Sequence, residues 1–190
     1  MEEAGLTPLI HPEPAGAGNF ARKINWAFTQ TSREWFFQGA DDIRFSAGWD
    51  VEAFRIAERR RASVIGTNDL HNPLVKRGKH STHTLIRRSY IEEHGGTFDG
   101  TGLVFHEGYD HQWVDNEFIE TAKFRKAWAF SAGSVVEHFH PHWGNAHTDP
   151  TYRKATRATR KDMLLYRERM LAINHHFGAN RRQTRYSRSR

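Results

Sequence analysis

The run Trp35-Phe36-Phe37-Gln38-Gly39-Ala40-Asp41-Asp42 carries three aromatics straight into two adjacent carboxylates. A short apolar stretch closed by a turn signal predicts a buried strand over 34–38, and its acids then stand at the carboxyl end, where open α/β sheets bind ligands. Neighbouring carboxylates repel unless a cation or hydrogen-bond donors lie beside them, and hard divalent ions favour such oxygens. Asp41 and Asp42 therefore read either as a metal-diphosphate site or as an Asx turn capping the helix that begins near Ser46-Ala47-Gly48-Trp49.

The pattern around this strand alternates. Asn19 is placed to cap a helix with Phe20, Ile24, Ala27 and Phe28 on one face and Lys23 and Asn25 on the other. Periodicity predicts further helices over 49–61, 89–93 and 115–125, and strands over 63–67 and 134–138. Between them, the polar stretch 67–83 carries Asn68, Asp69, His71, His80 and His83, and a loop of that length is usually functional or disordered. Pro8, Pro12 and Pro14 leave at most a short strand over 6–10. Strands alternating with helices argue for an α/β fold with a mixed or parallel sheet.

After His147 the chain changes character. The stretch 152–177 reads as one long, mostly basic helix, and 178–190 lacks apolar periodicity and is expected to be disordered. Positions 151–190 hold 12 Lys and Arg against 2 acids, whereas 1–150 hold 16 against 20. Such a basic segment attracts phosphates, nucleic acid or anionic lipid. Solvated helix faces look the same. With no cysteine, disulfides and thiolate metal sites are excluded, which favours a cytoplasmic protein. No run of 18 apolar residues predicts a membrane span.

Two further clusters could carry chemistry. His138-Phe139-His140-Pro141-His142 closes a predicted strand, where alternation would point three imidazoles to one side. Three imidazoles suit zinc, one imidazole with Asp42 suits manganese or magnesium, and hydrogen bonding within a loop needs no metal at all. The second, Val114-Asp115-Asn116-Glu117, opens a helix. There the acids either satisfy the helix dipole or include a general base, which must stay ionised within reach of an acceptor hydroxyl.

In this order the clusters resemble the family-2 glycosyltransferases of the GT-A fold, especially compact versions from actinobacterial phages. Gly18-Asn19-Phe20-Ala21-Arg22-Lys23-Ile24-Asn25 resembles the helix beside the nucleotide, Gln38-Gly39-Ala40-Asp41-Asp42 a shortened Asp-x-Asp signature, and Val114-Asp115-Asn116-Glu117 the Glu-Asp element. Val136-Glu137-His138-Phe139-His140-Pro141 resembles the element after the base helix. Two positions depart from the family: Gly39 replaces the first Asp and Val114 the Glu.

The resemblance covers roughly 16–145. It implies a partial GT-A-like mixed sheet over 1–147, lacking most of the half that grips the base, followed by the basic helix and tail. It implies Mn²⁺ or Mg²⁺ held by Asp42 with His138 or His140, donor contacts from Asp41, Lys23, Asn68 and Asp69, and Asp115 as the base of an inverting transfer. The donor would be a nucleotide sugar and the acceptor DNA, a virion protein or a glycan, in the host cytoplasm if the chain is phage-encoded. The alternatives are a non-catalytic fragment or a nucleic-acid or partner-binding protein acting through the basic tail, and a zinc hydrolase built on His138, His140 and His142.

Overall fold

The computed structural model describes residues 9–12, 20–148 and 150–187. Five strands, β1 (Trp35–Gln38), β2 (Ile43–Phe45), β3 (Val64–Asn68), β4 (Thr84–Arg87) and β5 (Trp128–His138), form one sheet in the order β1-β4-β3-β5-β2. The β3–β5 pairing is parallel and the others are antiparallel, so the sheet is mixed and the fold is α/β. Six helices complete it: α1 (Phe20–Thr29), α2 (Trp49–Arg60), α3 (Pro73–Lys76), α4 (Arg88–His94), α5 (Val114–Phe124) and α6 (Pro150–Ser187).

Both faces of the sheet are covered, which explains why its strands read as apolar runs. Alternate residues go to opposite sides: Phe36, Val64, Ile86 and Trp128 join a core with α1, α4 and α5. Trp35, Phe37, Ile65, Leu85 and Ala129 pack instead beneath Ala53, Ile56 and Ala57 of α2. The long β5 serves two neighbours in turn, since Trp128–Phe130 lie beside β3 while Val136–His138 lie beside β2.

Several expectations change. Asn25 is not on a solvated face; it is buried, its Oδ1 accepts from the Val104 and Phe105 amides at 2.9 Å, and its Nδ2 donates to Phe105 O and Glu107. The expected cap Asn19 lies outside the described residues, as do residues 6–8 of the N-terminal strand, while Leu9 and Ile10 are not in a strand. Asp41 and Asp42 do not cap α2, whose N-cap is Gly48 in the left-handed region without a side-chain hydrogen bond.

The segment expected to be a disordered tail continues the last helix in part. Helix α6 runs on through 178–187, and residues 188–190 lie outside the described part. Ala, Arg and Gln in that stretch are good helix formers, so a helix already nucleated upstream continues without apolar periodicity. No described helix is long and apolar enough to cross a membrane.

Candidate functional site

Five polar elements converge at one end of the sheet. The turn between β1 and β2 supplies Asp42, the end of β5 supplies His138, and the stretch leading into β4 supplies His80 and His83. The start of α5 supplies Asp115, and the loop before it His111. Asp42 Oδ1 lies 3.3 Å from His138 Nε2, and His80 Nε2 lies 3.2 Å from Asp115 Oδ2. His83, 2 % exposed, faces His138 edge-on with 4.7 Å between ring centres. Both Asp42 and Asp115 act electrostatically on His83 and on His111, so the two carboxylates border one cluster of imidazoles.

The cluster sets the protonation of its members. Burial, reinforced by the neighbouring His138, pushes His83 down to about 3 despite both aspartates, so its ring is neutral. Burial likewise lowers His111 and His140. At Asp115 burial works to raise the pKa, but the hydrogen bond and charge of His80, with the Asn116 amide donating to Oδ1 at 2.9 Å, win and hold it below the usual carboxylate range. Asp115 is therefore ionised and tethered through both oxygens, while its side chain keeps 23 % exposure.

The stretch 67–83 is tied down at several points and is not a loose loop. Asp69, buried, accepts from the amides of His71 and Asn72 and from Thr82 Oγ1, and its carbonyl accepts from His138 N. His71 Nε2 meets Glu137 of β5 at 3.2 Å. Asn68 donates to Ala132 O and accepts from Leu70 N. These contacts give Asn68 and Asp69 a structural task, namely to hold this stretch against β5.

Of the remaining expected residues, Asp41 is exposed in the turn beside Asp42, and Lys23 lies half-buried on α1 with no ion pair to Asp41, Asp42 or Asp115. The three-imidazole strand is corrected: β5 ends at His138, and Pro141–Trp143 form a 3₁₀ turn, because Pro141 cannot donate to a ladder. His140 Nδ1 there accepts from His142 N at 3.1 Å. Among the described residues no three His, Asp or Glu side chains close on one point as a ready metal cage.

Residues that local pattern did not single out hold the site in place. Asp162 of α6 is fully buried, and its carboxylate accepts the backbone amides of Asp110, His111 and Gln112 at 2.8–2.9 Å. Arg169, two turns further along the same face of α6, binds Glu117 through Nε and Nη2 at 2.6 and 2.7 Å and Asp99 through Nη1 and Nη2 at 3.0 and 2.9 Å. Trp113 stacks on Tyr166, and Ile173 is fully buried. Helix α6 thus fastens the loop and helix start that carry His111 and Asp115. Compared with protein-family models, curated proteins and solved structures, the chain matches none.

Proposed function

We propose that this chain transfers a sugar from a nucleotide-diphosphate donor to an acceptor hydroxyl, with metal assistance and inversion, as a family-2 glycosyltransferase would. The observation that carries the reading is the opposition of an Asp42–His138 pair and an ionised, tethered Asp115 across one buried imidazole cluster. The donor set fits a Mn²⁺ or Mg²⁺ ion. An oxygen and a nitrogen 3.3 Å apart can share one ion, and such ions take their other ligands from water and substrate phosphates in preference to an all-protein cage. Asp42 and His138 would hold it, with His140 beside them.

When bound, such an ion supplies neutralisation of the charge that grows on a departing diphosphate. The chain's own residues do the rest. Asp115 accepts the proton of the acceptor hydroxyl as that oxygen bonds to the anomeric carbon and the bond to the diphosphate breaks on the opposite face. His80 keeps the carboxylate oriented and ionised, so the proton has a base to go to at neutral pH. The tied-down stretch 67–83 keeps water from the donor, which would otherwise be hydrolysed.

The test combines calorimetry against a panel of nucleotide sugars, with and without Mn²⁺, and slow donor hydrolysis with water as surrogate acceptor. Asp115→Asn should leave donor binding within about twofold and cut turnover by about 10²-fold or more, the usual contribution of a general base. Failure of every nucleotide sugar to bind the wild type, or full turnover by the variant, would refute the reading.

A further inference from the structure

A recess of about 430 Å³ opens at the end of the sheet away from the imidazole cluster, where β3 and β5 begin and β4 ends. The turn after α2, the turn after α5 and one side of α4 line it. The two turns are built alike. Past α2 the Arg61 amide donates to Glu58 O and the Ala62 amide to Ala57 O; past α5 the Lys126 amide donates to Lys123 O and the Ala127 amide to Ala122 O. Such a closure needs one left-handed residue, ordinarily glycine, yet Arg61 (φ 51°) and Lys126 (φ 59°) hold the two positions. A side chain there is strained, and strain of this kind gathers at functional sites. Complementing the helix dipoles does not require it, because Arg59, Arg60 and Lys123 already place cations in the last turns.

The recess gathers positive charge that the fold leaves unanswered. Arg125 donates to the Tyr90 hydroxyl at 3.2 Å and to the carbonyls of Gly95 and Thr97 at 2.6 and 2.9 Å, all of them neutral acceptors. Neighbouring Arg87, Arg88 and Lys123 each face a glutamate, but among the described residues Arg61, Arg125 and Lys126 pair with no carboxylate. The one acid on the lining, Glu93, is 66 % exposed and lies 3.8 Å from His94. Tyr90, 3 % exposed, accepts from Arg125 and keeps its own proton to donate, and Ser63 and Ser89 add two hydroxyls to the wall. The Ser63 and Val64 amides both donate to Ala127 O, at 2.9 and 3.0 Å, so the turns that carry Arg61 and Lys126 are locked to each other.

We propose that this recess binds the phosphate group of a small phosphorylated ligand, with Arg61 and Lys126 as its clamping cations. Charge-assisted donors and hydroxyls around one point match a group whose oxygens accept from several directions. The volume exceeds what a phosphate alone fills and falls within the range of small-molecule sites, which favours a phosphosugar or mononucleotide over a contact to a polymer backbone. The recess is separate from the groups assigned to sugar transfer and does not depend on them.

Amide NMR of the metal-free full chain, titrated at about 0.15 M salt with sodium phosphate, glucose 6-phosphate, AMP or an oligodeoxythymidylate, locates the binding. Glucose 6-phosphate or AMP should move the signals of 61–63, 89–94 and 125–127 and leave those of His83 and His138 in place. Arg61→Gly and Lys126→Gly should each weaken that binding about tenfold. Their melting temperatures should stay level or rise, because glycine takes the left-handed position without strain. A merely structural role for the two cations predicts the opposite pair of results, a lower melting temperature with binding unchanged. Arg61→Asn and Lys126→Asn, which tolerate the same backbone, repeat the measurement if the glycine variants do not fold.

Tighter binding of either organic phosphate than of sodium phosphate upholds the proposal, and equal binding upholds it with free phosphate as the ligand. No shift at those amides with any small phosphate overturns it, as do shifts confined to 151–187, the mark of a solvated basic helix. Preference for the oligonucleotide over the small phosphates, or affinity unchanged in both variants, overturns it as well.

Discussion

Replacing Arg169 by Met tests whether the basic C-terminal helix belongs to the fold or only decorates it. The guanidinium side chain is 9 % exposed and makes four hydrogen bonds, two to Glu117 and two to Asp99. Those to Asp99 count for little, because that carboxylate is 43 % exposed and water replaces the partner. Glu117 is different. At 2 % side-chain exposure it would keep only the Tyr109 hydroxyl, at 2.9 Å, as a donor. Removing one partner of a buried pair costs about 3–5 kcal/mol, largely the penalty of the stranded charge. For a chain of this size that is a fall of about 6–20 °C in melting temperature.

The control is the double variant Arg169→Met with Glu117→Gln, which removes the stranded charge and should recover at least about 2 kcal/mol of the loss. Urea unfolding followed by tryptophan fluorescence gives both numbers. A single-variant cost under about 1 kcal/mol would refute the reasoning, as would a double variant whose losses simply add. A solvated nucleic-acid tail predicts the reverse pattern, with stability intact and only salt-dependent polyanion binding reduced.

Two further outcomes follow from the same geometry. Asp162→Asn leaves one acceptor oxygen where a carboxylate served three backbone amides, and should cost about 2–4 kcal/mol; hydrogen exchange at residues 110–112 should accelerate while α2 stays protected. His83 governs part of the acid sensitivity. Its folded pKa of about 3 lies below the ordinary 6.5, so the unfolded chain takes up the proton first. Its contribution is fully present above pH 6.5 and is lost, at up to about 1.4 kcal/mol per pH unit, as pH falls toward 3. Urea midpoints of the metal-free protein at pH 7, 6 and 5 should fall less steeply for His83→Phe, and equal slopes would remove His83 as the cause.

What could be read from the chain before folding was what repeats locally. The strand at Trp35–Gln38 and the helices at Trp49–Arg60 and Val114–Phe124 announce themselves because both faces or one stripe of each are apolar. Strand β2 does not, since Ile43-Arg44-Phe45 is three residues long and gains its hydrogen bonds only from the far end of β5. The site divides in the same way. Asp42, Asp115 and His138 stand at element ends where sequence logic looks for acids and imidazoles, but His80 and His83 were two histidines in a polar stretch until β4 carried them inward.

Charge misleads most where burial decides its meaning. Asp162 and Arg169 contribute one acid and one base to a segment that counts as basic, and nothing local marks either as buried. Their targets lie about 50 residues earlier in the chain, at the loop and helix start that present Asp115. The proposed base is therefore held by His80 through its carboxylate, while α6 fastens the chain on either side of it, at the amides of 110–112 and at the Glu117 side chain. Loss of α6 should disable the site as completely as loss of Asp115 itself, although α6 supplies none of the groups assigned to the chemistry.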